Sequence, residues 1–519
     1  MDYLIKNGLI YDGSGNKPYK SDILIQQDKI ADVGHEINNE SVEIIDAHGF
    51  IVTPGFIDIH RHCDIAVLKP GFGHLEIAQG ITYAVAGNCG LSAVPCNPPF
   101  KDLLNEHLQF GLGRALPDMP HTFNEYTEKI KNKQMPINLG LLIGTGTIRV
   151  ALKGFDKSPF SKNELYQGAA FIDEALSMGA LGASLGIMYF PEYYNTAEDY
   201  IQLLKPVAKK GGFVAVHVRG EGDSLVSSIE EAILIGKMAE VPIHISHFKS
   251  CGANNWNDKI HISIEKIEKA RNSGQDVTVE FYPYDCGSTS LLTMVPPSFL
   301  NEGAVSAIDS LKDKTNVAKL RDEMYKKHPG WDNFTLTLGW ERIVISSLTN
   351  EHNKKYIGKT VAEITKEYGF YDEVEFAAYL LHDEKGKIVI INKSMCQKDI
   401  ETIARLPYSL VVSDAMYGGE GSPHPRLHGA FPKIIREFVN EKNILSLEQA
   451  IHKMTCLPAK RMNKSSKGLI KKGFDADLLI FDPNNFKDKA TYEKSEIMAE
   501  GLYLTFVGGK KYFKDDFNV

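Results

Sequence analysis

The feature that most constrains this chain is a recurrence. Eight apolar, strand-like runs return through its middle, at Gly55–His62, Ile81–Cys89, Ile137–Gly146, Ala180–Gly186, Phe213–Arg219, Ile243–Lys249, Val277–Tyr284 and Ser409–Ala415, with helical patterns between them. Short apolar strands alternating with amphipathic helices are the pattern of βα units around a parallel sheet. Eight such units predict an α/β fold, a TIM-like (β/α)8 barrel, with reactive groups at the C-terminal ends of the strands. The chain has 519 residues, 43% of them hydrophobic and 24% charged, which allows a large domain and a smaller one.

The two ends read differently from the middle. From Tyr3 to Ile45 short alternating strands are punctuated by Asp-Gly and similar turns, and FDADLLIFDP and GLYLTFVGGKKYF repeat that character near the C-terminus. A small β-sandwich domain built from residues 1–54 and 465–519, flanking a barrel over 55–464, is therefore expected. The interval from Cys286 to Met395 is too long for a plain βα unit. It is read as an insertion after barrel strand seven, with 287–350 as an inserted subdomain that can act as a lid.

The formal net charge of −8 and the absence of a basic stripe argue against a nucleic-acid partner. No apolar run approaches the roughly 20 residues needed to span a bilayer, and Met1 leads directly into a strand pattern without a signal-peptide core. Seven cysteines, an odd number with no C-x-x-C pair, suggest reduced thiols in the cytoplasm. A small-molecule partner is expected.

Chemistry concentrates at the predicted strand ends. TPGFIDIHRHCD ends strand one with His60 and His62, which share a face if the strand stays extended. Such a pair either meets water or shares a metal. AVAGNCG ends strand two with Cys89, a small packing residue or a thiolate ligand. Strands five and six end with His217 and His247. Lys249 shares the face of His247, and His244 is expected to point the other way in a structural role. LVVSDAM ends strand eight with Asp414, either a helix N-cap or a carboxylate placed to shuttle protons beside a metal. GSPHPRLHGAF follows, where Arg426 either grips a carboxylate in a two-pronged contact or forms a surface ion pair. EFYPYDCGSTS after strand seven offers Tyr282, Tyr284 and Ser288 as hydroxyl donors.

These segments carry a resemblance. GLIYDGSG with PGFIDIHRH, and KGLIKKGFDADLLIFDP, resemble the amidohydrolase superfamily. GNCG, ISHFK, YPY, SDAM followed by HPRLHGAFP, and MTCLPAKR resemble its D-aminoacylase (N-acyl-D-amino-acid deacylase) family, in order and over nearly the whole chain. The resemblance implies one tightly held zinc on Cys89, His217 and His247, and a weaker second metal position on His60 and His62 with Asp414 nearby. It implies that Asp414 is the general acid/base and that Lys249, Tyr282 and Arg426 hold the substrate's α-carboxylate, with Ser288 close by. The implied reaction is hydrolysis of an N-acyl-D-amino acid to a carboxylate and a free D-amino acid. Three segments depart from the family pattern: Thr145 stands where a histidine is common, strand five continues HVRGEGD, and strand four continues SLGIMYFPEYYN. The alternative activity is that of a cyclic amidohydrolase of the hydantoinase, dihydropyrimidinase or dihydroorotase kind. Those enzymes use a strand-four lysine that GALGASLGIMYF lacks. A non-catalytic scaffold is the remaining alternative.

Overall fold

The structure, a computed structural model, describes residues 2–39, 41–113, 115–300, 303–328, 331–417 and 421–513. Residues 1, 40 and 514–519 of the expected terminal domain lie outside the described residues, as do 301–302 and 329–330 of the expected insertion.

The middle of the chain forms an eight-stranded, all-parallel sheet in barrel order. Its strands are Phe56–Asp58, Ile81–Ala86, Asn138–Gly144, Gly182–Gly186, Phe213–His217, Ile243–Ile245, Val277–Phe281 and Ser409–Val411. The period of two along each strand sorts side chains into two cores. Ile57, Tyr83, Val85, Leu142, Phe213, Ala215, Leu410 and Val412 fill the barrel. Their alternates, among them Ala84, Ala86, Ala183, Leu185, Val214, Val216, Ile243, Ile245, Val277 and Val279, pack against the surrounding helices. Burying each of the larger aliphatic side chains contributes about 1.5–3 kcal/mol. Strands buried on both sides must read as near-continuous apolar runs, which is why the recurrence was visible.

The seam between strands one and eight closes through side chains. The Asp58 carboxylate accepts hydrogen bonds from the Ser413 amide (3.1 Å), the Ser413 hydroxyl and Arg61 Nη1 (3.1 Å). Just beyond it Arg61–His62 pairs with Ala415–Met416, and the Asp414 amide donates to the His60 carbonyl at 3.0 Å. Arg61 is fully buried and also faces Glu76 at 2.8 Å, so its charge is neutralised within the wall. Several outer helices start at Ser or Thr caps with an acid or amide three residues on, as at Ser161 with Glu164, Thr196 with Asp199 and Ser446 with Gln449.

The termini build a second eight-stranded sheet from Tyr3–Ile10, Tyr19–Gln26, Lys29–Gly34, Glu43–Asp46, Ile51–Pro54, Leu478–Phe481, Leu502–Val507 and Lys510–Phe513. One face, with Ile5, Ile23, Ile25, Val52, Leu478, Ile480, Leu504 and Phe506, closes around its own core. The alternates Ile51, Leu479 and Phe481 join the barrel core beside Phe56 and Phe486. After strand seven a three-stranded antiparallel sheet (Gly287–Ser290, Val389–Asn392, Ile343–Ser347) and its helices form the inserted unit. It has a separate core around Leu320, Phe334, Trp340, Ile345 and Phe376. Among the described residues no helix is long and apolar enough to cross a membrane.

Candidate metal centre and substrate cavity

The barrel strands stop short of nearly every chemically interesting side chain. Of the six expected metal ligands, His217 alone lies within one of the eight barrel strands, as its last residue. Strand one ends at Asp58, before His60. Strand two ends at Ala86, before Cys89. Strand six ends at Ile245, before His247, and strand eight at Val411, before Asp414. The strand ends expected from the apolar runs were therefore too long. The reason is local: Cys89, His247 and Asp414 have φ of 54°, 34° and 51°. Left-handed backbone at a residue with a Cβ costs about 1–2 kcal/mol and ends a ladder. Such outliers collect where function demands a side-chain direction that a regular strand does not supply.

Each strained turn is held by buried hydrogen bonds. Gly87 donates its amide to Asp64 Oδ2 (3.1 Å), Asn88 donates its side-chain amide to the Val85 carbonyl (3.1 Å), and Gly90 donates its amide to Ser184 Oγ (3.0 Å), which pins Cys89 from both sides. The His247 amide donates to Glu280 Oε1 at 2.9 Å.

The result is a compact cluster. Cys89 Sγ lies 3.3 Å from His60 Nε2 and 3.5 Å from His247 Nε2. The Nε2 atoms of His60 and His62 lie 3.4 and 3.3 Å from one oxygen, Oδ1 of Asp414. The His217 ring stands nearly perpendicular to that of His247, with centroids 4.4 Å apart. Ligand atoms within 4.8 Å of one another form three overlapping groups: His60, Cys89 and His247; His60, His62 and Asp414; His217, Glu221 and His247. The cluster thus gathers all six residues expected to bind metal.

Its electrostatics are those of a thiolate among imidazoles. Burial would raise the Cys89 thiol, but His60 and hydrogen bonds from His217 and His247 hold it well below the usual thiol range. Burial would likewise raise Asp414, yet Arg426, His60 and His62 keep its carboxyl well below the ordinary range. Burial and Lys249 act to lower His247, but Glu221 and Cys89 lift it to about 9. His217 is lowered by burial and by His247. His62 Nδ1 and His217 Nδ1 are buried without a hydrogen-bond partner among the described residues. Converging sulfur and nitrogen donors, several of them charged and all out of water, fit a divalent metal of the zinc type.

Two carboxylates missing from the sequence reading orient this cluster. Glu280 accepts from His60 Nδ1 through one oxygen and from His244 Nε2 (2.7 Å) through the other. Glu221 meets His247 Nδ1 at 2.9 Å and also holds the Lys249 ammonium, which itself lies 2.7 Å from His247 Nδ1. Carboxylates on the far nitrogen of a ligating histidine fix its tautomer and aim the other nitrogen. Glu280 was detectable as the one charge in the buried run VTVEF, by the reasoning applied to Asp414. Glu221 sits in a Gly-flanked loop, where no periodicity marks it. The expected orientation of His244 is corrected: it faces the barrel interior with Glu280, as His247 does. Strand six stops between the two histidines, and the positive φ at His247 breaks the alternation.

The residues expected at the substrate carboxylate gather beside the cluster and line the same cavity. Arg426 and Lys249 lie over the Tyr282 ring at 4.9 and 5.9 Å from its centroid. Arg426 Nη1 donates to Asp414 Oδ2 at 2.7 Å, while Arg426 Nε and the Tyr282 hydroxyl are buried with no hydrogen-bond partner among the described residues. Ser288 lines the same cavity from the inserted sheet, with Met188, Tyr189, Phe334 and Asn392. At the departure from the family pattern, Thr145 donates its hydroxyl to Glu192, which also accepts from Tyr200 (3.0 Å). Glu192 packs under the Cys89–Gly90 turn, where a Cβ on Gly90 would fall 2.0 Å from its Oε2. Burial pushes the Glu192 carboxyl up to about 7.

Comparison with known proteins follows this geometry. Residues 400–513 match the model of the Amidohydrolase family. The D-aminoacylase of Alcaligenes xylosoxydans xylosoxydans is 28% identical over 99% of this chain and 95% of its own length. The N-acyl-D-aspartate deacylase of the same organism is 29% identical over 98% and 91%. A crystal structure of N-acyl-D-glutamate deacylase from Bordetella bronchiseptica, complexed with zinc and a phosphonate mimic of the tetrahedral intermediate, superposes with a TM-score of 0.82. It is 26% identical and covers 98% of this chain and 96% of that one. With this fold shared over 98% of its length and sequence similarity along the whole of it, the chain belongs to the amidohydrolase superfamily, in its D-aminoacylase (N-acyl-D-amino-acid deacylase) family.

Proposed function

We propose that this chain is a zinc-dependent hydrolase that cleaves the linear amide bond of N-acyl-D-amino acids, releasing a carboxylate and a free D-amino acid. The observation that carries the reading is the buried Cys89 thiolate among His60, His217 and His247, in one cavity with Asp414, Lys249 and Arg426. Cys89, His217 and His247 would hold the principal zinc, and His60 and His62 a weaker second position. Bound there, the metal would polarise the acyl carbonyl and lower the pKa of a water to about 7.

The chain's own groups do the rest. Asp414 takes a proton from the attacking water and returns it to the departing amine nitrogen, so that water's oxygen ends on the acyl carbon as the C–N bond breaks. Arg426 Nε and the Tyr282 hydroxyl, both without partners among the described residues, would bind the α-carboxylate, with Lys249 and Ser288 beside them. Glu221 and Glu280 hold the imidazoles in register. The seven cysteines form no disulfide, which suits a reducing compartment, and we place the chain in the cytoplasm.

The test is a panel of N-acetyl amino acids in both enantiomers, assayed with metal content measured by elemental analysis. Hydrolysis of D-substrates by zinc-loaded protein is expected. Ring opening of a hydantoin or dihydroorotate by protein inert toward every linear amide would overturn the reading.

A further inference from the structure

The loop after strand five reads RGEGDS, from Arg219 to Ser224. A single carboxylate from the inserted unit fills it. Asp332, 111 residues beyond Glu221 and only 2% exposed, turns its Oδ2 to the amides of Glu221 (2.5 Å) and Gly222 (2.6 Å). Its Oδ1 accepts from the amide (3.3 Å) and the hydroxyl (3.0 Å) of Ser224. Successive backbone N–H groups that cup one anion form a nest. Two glycines leave room for it. A Cβ on Gly220 would fall 1.9 Å from Ser224 Oγ and 2.8 Å from Asp332 Oδ2, and one on Gly222 would fall 3.3 Å from Asp332 Cγ. We propose that Asp332 is a positioning residue for the metal centre. Seated in this loop, it holds Glu221 in register with His247 and Lys249, so that the inserted unit sets metal affinity. The inference rests on the zinc centre proposed above and adds to it a residue from outside the barrel.

The chain of contacts is short and buried. Asp332 holds the Glu221 amide, and Glu221 Oε1 meets His247 Nδ1 at 2.9 Å and the Lys249 ammonium. A second tie acts on the same residue. The Cys251 amide donates to the Glu221 carbonyl at 2.7 Å, and Cys251 packs in the core of the inserted unit with Phe334 and Trp340. Both backbone polar groups of Glu221 are thus bound to residues of, or packed into, the inserted unit, while its side chain runs on to the centre. A glutamate anchored at both groups keeps one direction. Freed at its amide, it has several. A carboxylate behind a ligating imidazole fixes the tautomer and aims the other nitrogen. A misplaced Glu221 therefore misplaces His247 Nε2, which stands 3.5 Å from Cys89 Sγ. If Asp332 served only to dock the inserted unit, its removal would lower stability and leave the centre's affinity for metal unchanged.

A double-mutant cycle separates the two roles. Affinity for the first equivalent of zinc is measured by competition with a chromogenic chelator on full-length wild type, Asp332→Ala, Glu221→Ala and the double variant, with melting curves of each. Glu221→Ala is expected to weaken zinc by about tenfold or more, and Asp332→Ala by about tenfold. The double variant is expected to match Glu221→Ala within about twofold, because Asp332 acts through a side chain already removed. Asp332→Asn, which can keep an oxygen toward the Glu221 and Gly222 amides, is expected to restore most of the loss. If Asp332→Ala melts below the assay temperature, Gly220→Ala takes its place in the cycle, since its Cβ crowds the seat from the loop side. Zinc affinity within twofold of wild type in the folded Asp332 or Gly220 variant, losses that multiply in the double variant, or no loss in Glu221→Ala would overturn the inference. Wild type that binds zinc and hydrolyses no N-acyl-D-amino acid would remove the proposed reaction and leave this inference standing. Wild type that binds no zinc would remove both.

Discussion

Glu280 is the most exacting place to test whether this centre is organised as its geometry implies. Its side chain is fully buried and takes three donors: His60 Nδ1 and the His247 amide (2.9 Å) on one oxygen, His244 Nε2 (2.7 Å) on the other. Burial would raise its carboxyl, but His60 and His244 hold it well below the ordinary range, so it is ionised at neutral pH. Glu280→Gln keeps the shape and removes the charge. A glutamine carbonyl on the Oε1 side still accepts from His60 and His247. Its NH2 then faces His244, which accommodates it by moving its own proton to Nδ1, 2.7 Å from Thr278 Oγ1. The variant should therefore fold. What it loses is charge assistance to His60, roughly half of a contact of about 1.5–3 kcal/mol, together with basicity at the imidazole. Outer carboxylates of this kind alter metal affinity by about 10–100-fold, or about 1.4–2.7 kcal/mol. The assay is zinc affinity at the weaker second position, titrated beyond one equivalent against a chromogenic chelator, alongside melting curves of the zinc-free protein. A weakening of about tenfold or more with a melting temperature lowered by only a few degrees is expected. Zinc affinity within twofold of wild type would refute the argument that Glu280 aims the ligands.

Three further outcomes follow from the same site. Asp414→Asn should abolish turnover with zinc still bound, and a near-normal kcat would strip Asp414 of its proton-transfer role. Cys89→Ala should lower zinc per chain in elemental analysis, and unchanged stoichiometry would take Cys89 out of the centre. Glu192 sets a pH dependence: its ordinary value of 4.5 rises to about 7 on folding, because burial disfavours its charge. Between those values the native chain binds more protons than the unfolded one, so its stabilising contribution is full below pH 4.5 and is lost, by about 3 kcal/mol, as pH rises to 7. Melting curves of wild type should fall over that window relative to Glu192→Gln, and parallel profiles would contradict it.

The fold was legible because it rests on a global pattern. A strand buried on both faces has to be apolar along its length, and eight of them between helices leave few alternatives to a barrel. The residues of the cluster were legible for a related reason: His60, His62, Cys89, His217, His247 and Asp414 each interrupt or follow such a run. What the pattern hid was the backbone at the strand ends. An apolar run does not record where hydrogen-bond pairing stops, and extending strand six to Lys249 put His244 and His247 on opposite faces. In the structure Glu280 reaches both, through the His244 ring and the His247 backbone amide.

That error bears on how the site works. Cys89, His247 and Asp414 come together because each leaves its strand in the left-handed region, with φ of 54°, 34° and 51°. Three such turns cost about 3–6 kcal/mol in total by the per-residue figure. The hydrogen bonds from Gly87, Asn88, Gly90 and the His247 amide offset that strain within the wall itself. The charge at the centre is matched in the same way, by Glu221 on His247 and Lys249 and by Arg426 on Asp414. Asp64, Ser184, Glu221 and Glu280 are therefore part of the centre even though the metal-ligand pattern in the sequence does not mark them. A change at any of them should appear first in metal affinity and only later in the stability of the barrel.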